Sequence, residues 1–176
     1  IGSFHGALNY NNGAVKSLTV FDGLISNAIS AILTDRSGNT YFGTSSGLSV
    51  YDGNKIQNYS APNGLINTEI KVLKEDRSGN IWIGTDKGLF SLNKQEIKYW
   101  GKEYGLDQLS INTLEIDQDN VMWVGTDRGL YQYDERKSSI FKISDDFGEV
   151  RKIYEDAEGI VWVGTNNGLN RYEKDK

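Results

Sequence analysis

Hydrophobic residues recur along the chain in short runs separated by polar turns, and four such runs make up one repeating segment. In the segment that begins at residue 64 the runs are Ile70–Glu75, Asn80–Gly84, Leu89–Leu92 and Ile97–Trp100. The first run alternates apolar and polar positions, which predicts a strand with one buried face. Ile81, Trp82 and Ile83 are consecutive apolar residues, which predicts a strand buried on both faces. We name the four predicted strands A, B, C and D.

A fourteen-residue part of this segment, which begins at the turn between strands A and B, occurs four times. Its opening aspartates are Asp35, Asp76, Asp117 and Asp156, at spacings of 41, 41 and 39 residues. The copy "DRSGNIWIGTDKGL" (Asp76–Leu89) contains the letters that return each time: an aspartate, an aromatic residue, Gly-Thr and Gly-Leu. The aromatic position holds Tyr41, Trp82, Trp123 and Trp162. Four-stranded units at a spacing of about 40–45 residues are typical of propeller blades.

The turns agree with this interpretation. In "DRSG" the aspartate and the glycine stand where a tight turn favours them, and Asn120 takes the glycine position in "DQDN", where a positive φ is tolerated. A single sheet with two apolar faces needs a neighbour on each side, so the blades must stack. The sequence therefore predicts an all-β protein, a β-propeller built of four-stranded antiparallel blades.

The predicted blades do not close into a ring. The opening "IGSFHGALNY" aligns with "FGTSSGLSVY", so the chain begins at strand B. This predicts a partial blade over 1–22, complete blades over about 23–63, 64–104 and 105–146, and a partial blade over 147–176. We expect an arc of about five blades whose partners are the remaining blades of the same protein. Its open apolar end faces also predict a homo-oligomer.

Composition narrows the function classes. The formal charge is -5 and no run is rich in Lys or Arg, so we expect no nucleic-acid partner. The chain contains no cysteine, which excludes disulfides and thiolate metal sites. Apolar runs are only a few residues long, so we expect no membrane insertion in this segment.

Candidate ligand-binding residues lie in the B–C turns and the D–A connections, which share one face in propellers. Each B–C turn holds a fixed Gly-Thr and Gly around two changing residues: Phe4-His5, Ser45-Ser46, Asp86-Lys87, Asp127-Arg128 and Asn166-Asn167. The D–A connections add Ser26, Asn27, Asn67, Thr68, Glu69, Gln108 and Ser110. A constant frame with variable polar content is how a scaffold displays a binding site. The candidates are Ser45, Ser46, Asp86, Lys87, Asp127, Arg128, Asn166, Asn167, Asn27, Asn67 and Gln108.

Other motifs favour architecture over chemistry. Equivalent aspartates of successive blades lie on a circle and cannot converge on one substrate, so we interpret them as turn caps. "DQDN" begins like a calcium loop but lacks the later glycine and glutamate, so no metal and no cofactor are predicted. The repeated aromatic residues are expected in the core between blades rather than in a sugar-stacking ladder. Tyr59, Trp100 and Phe141 are expected to share one register in strand D.

The motifs from Asn27 to Tyr51, and those of Asp76–Leu89, Asp117–Tyr133 and Asp156–Tyr172, resemble the repeat of two-component regulator propellers. The resemblance implies the extracytoplasmic sensor region of a bacterial hybrid histidine kinase. It would be periplasmic and non-catalytic, would belong to a homodimeric kinase, and would respond to an oligosaccharide or another small ligand. Departures from the repeat are Tyr41 in place of Trp, Thr68 in place of Asn, and a shorter entry to the fourth copy.

Two alternatives remain open. One is a protein-interaction scaffold. The other is a propeller lyase or glycan hydrolase, which would need a convergent cluster of His, Glu or Asp. His5 is the only histidine, and Asp86, Asp127 and Glu69 are predicted on separate turns, so we expect no enzyme in this segment.

Overall fold

The computed structural model describes residues 2–3, 5–11, 14–66, 69–135, 137–144 and 146–173. These residues form eighteen strands in five sheets of three, four, four, four and three strands. Two 3-10 turns, Val20–Asp22 and Ala61–Asn63, lie in D–A connections. Within the described ranges, no helix is long and apolar enough to cross a membrane.

Each sheet is an antiparallel meander in chain order. The first contains β1 (Gly2–Ser3), β2 (Gly6–Asn11) and β3 (Ala14–Leu18). The three four-stranded sheets, blades 1 to 3, contain β4 (Ile29–Thr34), β5 (Thr40–Thr44), β6 (Gly47–Tyr51) and β7 (Ile56–Tyr59); β8 (Ile70–Glu75), β9 (Ile81–Thr85), β10 (Gly88–Asn93) and β11 (Glu96–Tyr99); and β12 (Ile111–Ile116), β13 (Met122–Thr126), β14 (Gly129–Asp134) and β15 (Ser139–Ser144). The last contains β16 (Val150–Glu155), β17 (Val161–Thr165) and β18 (Gly168–Tyr172).

The sheets stack side by side through their A strands, because β4 contacts β8, β8 contacts β12, and β12 contacts β16. The predicted fold class is confirmed: the chain is a β-propeller arc of three four-stranded blades flanked by two three-stranded ones.

The B strands supply the core, as the apolar runs predict. Successive B-strand residues point to opposite neighbours: Ile81 and Ile83 pack in the cluster shared with blade 1, and Trp82 packs in the cluster shared with blade 3. Trp82 is 1% exposed. The aromatic position is therefore core between blades at Tyr41, Trp82 and Trp123, as expected, whereas Trp162 of the last sheet is only partly buried.

The glycine of each Gly-Thr pair makes room for the next blade. A methyl group placed on Gly84 would lie 2.7 Å from Cγ2 of Ile111, on strand A of blade 3. The equivalent distances are 2.5 Å from Gly43 to Ile70 and 2.5 Å from Gly125 to Val150. All are shorter than real carbon contacts, so the close approach of neighbouring blades requires glycine here.

The aspartate of each A–B turn ties the turn to the core. Asp76 Oδ1 accepts the backbone N–H groups of Ser78 and Asn80 at 2.9 and 2.8 Å. Its Oδ2 accepts the indole N–H of Trp82 at 2.8 Å. The aromatic residues Tyr41, Trp123 and Trp162 donate in the same way to the aspartates of their own blades. The turn-cap interpretation holds, and the bond to the aromatic side chain adds to it.

The residue after the aspartate forms hydrogen bonds to the next blade, and we call this set of bonds the clasp between blades. Arg36 Nε donates to Glu75 Oε1 at 3.0 Å, and the Arg36 backbone N–H donates to Glu75 Oε2 at 3.0 Å. The Arg36 guanidinium also donates to the backbone carbonyls of Asp76 and Arg77. At the equivalent position Gln118 reaches the last sheet in the same manner.

One register prediction is wrong. Tyr59 pairs with Leu48. Trp100 donates its backbone N–H to the carbonyl of Leu89, the residue equivalent to Leu48, and both aromatic residues are buried. Phe141 instead pairs with Gln132 and is 42% exposed. Two residues separate the paired Asn93 and Glu96, whereas four separate Asp134 and Ser139. Because the turn before β15 is two residues longer, the position equivalent to Trp100 falls after Phe141.

Candidate ligand-binding face

The B–C turns and the D–A connections meet on one face of the arc, which we call the connection face. Backbone hydrogen bonds join them: Asp86 N–H donates to Glu69 C=O at 3.1 Å, and Asp127 N–H donates to Ser110 C=O at 3.0 Å. The last sheet repeats the bond from Asn166 to the residue before its strand A.

The fixed letters of the B–C turns build a rigid frame. In blade 2 the Thr85 hydroxyl donates to the Gly88 carbonyl at 2.8 Å and accepts the Lys87 N–H at 3.1 Å. Gly88 has φ +134°, which side chains rarely adopt. The same two hydroxyl bonds occur in the turns that begin at Thr44, Thr126 and Thr165. The changing residues are therefore displayed on a constant backbone.

In both blade 2 and blade 3, the first changing residue of the B–C turn has a different role from the second. Asp86 Oδ1 accepts the Glu69 N–H at 3.0 Å, and Asp127 Oδ1 accepts the Ser110 N–H at 3.0 Å. These carboxylates fasten the D–A connection to the turn. The second residue of each pair, Lys87 or Arg128, is exposed.

A polar cavity opens on the connection face between blades 1 and 2. We call it the serine cavity; its volume is about 400 Å³ and its lining includes Ser45, Ser46, Ser60, Leu65, Glu69 and Asp86. Hydroxyl and carboxylate groups outnumber the two apolar side chains of the lining, Ala61 and Leu65, a composition that suits a hydrogen-bonding polyol. The cavity brings together Ser45, Ser46 and Asp86 of the predicted site.

A second cavity of about 250 Å³ lies on the same face beside blade 2, and we call it the tyrosine pocket. Its lining comprises Ile66, Lys87, Phe90, Tyr99, Lys102, Asp107 and Gln108. Two of these, Lys87 and Gln108, were predicted from the sequence. Gln108 has φ +60°, so the connection makes a tight turn at the pocket wall.

Tyr99 is held firmly in this pocket. Its ring packs on Phe90 with centroids 4.7 Å apart, and its hydroxyl donates to Asp107 Oδ1 at 2.5 Å. A methyl group on Gly88 would lie 2.8 Å from the ring, and one on Gly101 would overlap it. Burial, and then the bond to Asp107, raises the pKa of Tyr99 to about 12, so the phenol is protonated at neutral pH.

The other predicted residues lie outside these two cavities. Asp127, Arg128, Asn166 and Asn167 lie in turns farther along the arc. Asn27 Oδ1 accepts the Val20 N–H at 2.8 Å and so fixes its own connection. Asn67, like Phe4 and Thr68, falls outside the described residues.

Sequence reasoning missed Ile66, Phe90, Tyr99, Lys102 and Asp107. None of them belongs to the fixed frame or to the B–C turns. A comparison of the copies could have found two of them, because the positions of Phe90 and Tyr99 hold Ser49 and Asn58 in blade 1.

The "DQDN" turn contributes to a group of three carboxylates. Oxygen atoms of Asp117, Asp119 and Glu155 lie within 4.8 Å of one another. Asp117 accepts the N–H groups of Val121 and Trp123, and Glu155 Oε2 accepts the Gln118 N–H at 2.7 Å. Turn capping and the clasp between blades therefore account for the placement of two of the three.

The sequence matches a family model named "two component regulator propeller" over residues 23–46, 64–87, 105–128 and 145–167, more than half of the chain. The chain belongs to the two component regulator propeller family. Each matched range of this propeller runs from a D–A connection to the following B–C turn, so the frame of the connection face lies within the family pattern.

Solved structures agree in fold. This regulator propeller is similar to the extracellular domain of the putative one component system BT4673 from B. thetaiotaomicron, with 25% identity and a TM-score of 0.81 over 99% of the chain and 26% of that structure. The extracellular domain of the putative hybrid two component system BT3049 from the same organism gives 18% identity and a TM-score of 0.77 over 91% and 24%. A catalytically inactive virginiamycin B lyase from Staphylococcus aureus is 14% identical with a TM-score of 0.65. The match covers 94% of this chain and 61% of the lyase.

The chain spans about a quarter of the length of the two B. thetaiotaomicron structures. No curated protein matches it in sequence.

Proposed function

We propose that this chain is a non-catalytic, ligand-binding segment of a bacterial two-component sensor and that it lies in the periplasm. Family membership supports the sensor assignment. The similarity to extracellular domains of putative one- and two-component systems supports the location. The ligand is an oligosaccharide or another small extracellular molecule.

The observation that carries the proposal is the build of the connection face. Constant threonine and glycine residues hold turns whose remaining residues change from blade to blade. Two cavities open on that face and include five of the predicted residues. The need to build the propeller explains the constant threonine and glycine residues. It does not explain why the two residues between them differ from one B–C turn to the next.

Two of the carboxylates on the connection face, Asp86 and Asp127, hold the backbone in place. Asp86 and Asp127 each accept a backbone N–H of their own blade. A general acid or base must instead reach the reacting atoms of a substrate. We therefore assign these two carboxylates to the scaffold.

The test is a calorimetric screen of the intact protein against oligosaccharides, with a matched pair of variants. Ser46→Tyr fills the serine cavity, and Ser37→Tyr places the same side chain at an exposed position of an A–B turn. We expect a saturable heat in the wild type and in Ser37→Tyr, and its loss in Ser46→Tyr. Absence of any saturable heat, or equal heats in both variants, would count against the proposal.

A second candidate is a protein-interaction scaffold, favoured by one observation. Phe21 is 97% exposed and stands on a 3-10 turn capped by Thr19 and Asp22. An exposed aromatic residue on a rigid turn can anchor a partner protein. In that case Phe21→Ser would abolish crosslinking to a partner in cells and leave the oligosaccharide heats unchanged.

A further inference from the structure

The charge of the tyrosine pocket is opposite to that of the whole chain. The chain carries a formal charge of -5, yet Lys87 and Lys102 both line this pocket and both are exposed. Within the described part of the chain neither lysine forms an ion pair. The one carboxylate of the lining, Asp107, already accepts the Tyr99 hydroxyl. An anion would therefore find two cationic donors there.

The pocket also offers a flat apolar surface. Tyr99 is 37% exposed and lies against buried Phe90, and Ile66 is 58% exposed. The position of the Tyr99 ring is fixed by the two glycines that border it, Gly88 and Gly101, and by the hydrogen bond to Asp107. A preorganised aromatic ring loses little conformational entropy when a ligand stacks on it.

This arrangement is specific to blade 2. At the position of Tyr99 blade 1 has Asn58, and at the position of Phe90 it has Ser49, whose hydroxyl bonds the Asn58 side chain at 2.7 Å. Blade 3 places Lys142 and Tyr131 at these positions, 5.4 Å apart from cation to ring centroid. The propeller is therefore built equally well without a pair of aromatic rings, and the scaffold does not explain Tyr99.

We infer that the tyrosine pocket binds an anionic sugar, a pyranose ring that carries a carboxylate or a sulfate group. The inference rests on the proposed function and names its ligand class. The ring stacks on Tyr99, the anionic group lies between Lys87 and Lys102, and the Gln108 amide is available to ring hydroxyls. Charge-assisted hydrogen bonds from lysine separate this ligand from its neutral counterpart.

The experiment compares matched ligands on the intact protein by saturation-transfer NMR titration. The probes are methyl β-glucuronide, methyl β-glucoside and glucose 6-sulfate. We expect the glucuronide, the sulfate or both to bind at least tenfold more tightly than the glucoside, and the preference to shrink as NaCl rises from about 50 to about 500 mM. The two anionic probes separate carboxylate from sulfate recognition.

Variants test which residues carry the preference. The double variant Lys87→Gln with Lys102→Gln should reduce the preference for the anionic sugars over the glucoside to less than about twofold. Lys55→Gln with Lys94→Gln, two exposed lysines of C–D turns, is the matched control and should preserve it. Tyr99→Asn, the residue that blade 1 uses, should weaken binding of charged and neutral sugars alike.

Two results would overturn the inference. Equal affinity for the glucuronide and the glucoside would refute anion recognition but leave the proposed function intact. Binding that survives Tyr99→Asn unchanged, or no binding of any probe, would refute the pocket. The oligosaccharide screen with Ser46→Tyr decides the proposed function independently, because that variant acts on the other cavity.

Discussion

At the scale of the residue, the bond between the turn aspartate and the aromatic side chain is an energetic link between turn and core. Trp82 donates its indole N–H to Asp76, and an indole N–H can only donate. In blade 1 the donor to Asp35 is the Tyr41 hydroxyl, which can also accept. Replacing the aspartate by asparagine should therefore affect the two blades differently.

We predict that Asp76→Asn lowers the free energy of unfolding by about 1–3 kcal/mol, because the new amide N–H₂ would face the buried indole N–H. Asp35→Asn should cost less than about 1 kcal/mol, because the tyrosine hydroxyl can rotate to accept. Urea denaturation of both variants measures the difference. Equal losses would show that the aromatic partner is irrelevant.

Two of the turn aspartates, Asp35 and Asp156, predict a dependence of stability on pH. Burial raises the pKa of Asp35, but hydrogen bonds from Asn39 and Tyr41 outweigh it and place the pKa below the ordinary value of 3.8. The hydrogen bond from Trp162 likewise lowers the pKa of Asp156. A carboxyl with a lowered folded pKa takes up its proton more readily in the unfolded chain, so protonation favours unfolding.

The stabilisation from these aspartates should be complete above their ordinary pKa and should disappear as the pH falls through the lower folded value. We expect the free energy of unfolding to drop below about pH 4, with a shallower drop in Asp35→Ala. Denaturation at a series of pH values tests this. Parallel curves for the wild type and Asp35→Ala would contradict it.

At the scale of the element, the strand B glycine sets how closely two blades approach. We predict that Gly84→Ala lowers the free energy of unfolding by about 1–3 kcal/mol, because the added methyl would overlap Val72 of its own blade and Ile111 of the next blade. Gly164 occupies the same place in the last sheet, where a methyl would find its nearest described atom 3.6 Å away. Gly164→Ala is thus the matched control and should change stability by less than about 0.5 kcal/mol in this chain. Equal effects would argue against close approach as the reason for the glycine.

The strands were predictable because every copy of the repeat has the same hydrophobic pattern. The alternation of apolar and polar residues along a strand matches the buried and exposed positions of the fold. The register of Phe141 was not predictable, since the turn before β15 is two residues longer than the turn before β11 and the distance from the repeat aspartate does not reveal this. Candidate residues of the B–C turns could be found because the fixed frame brackets them. Comparing the copies shows that the position of Tyr99 varies, but only the three-dimensional fold brings Tyr99 and Lys102 against Lys87.

At the scale of the whole molecule, the last sheet presents an apolar face. The register places Tyr154, Trp162 and Leu169 on the same side, and Tyr154 and Leu169 are 63% and 67% exposed. Arg171 lies on the same side, opposite Trp162. Large exposed apolar side chains such as Tyr154 and Leu169 promote association. The predicted homo-oligomer is consistent with this face.

We predict that the chain of residues 1–176 associates as its concentration rises from about 10 to about 200 µM, and that Tyr154→Asp with Leu169→Asp raises the dissociation constant at least tenfold. Sedimentation velocity measures both. Phe141→Asp, at an exposed site on the outer strand of blade 3, is the control and should not change association. A sedimentation coefficient independent of concentration would refute the prediction.

The clasp between blades has a consequence for how such a gene can change. Its hydrogen bonds join residues 37 to 41 apart, roughly one repeat. Duplicating or deleting one whole repeat would leave each clasp residue facing the backbone carbonyls of an equivalent turn, whereas inserting half a repeat would displace those carbonyls. The clasp therefore constrains the length of each repeat more tightly than the number of repeats.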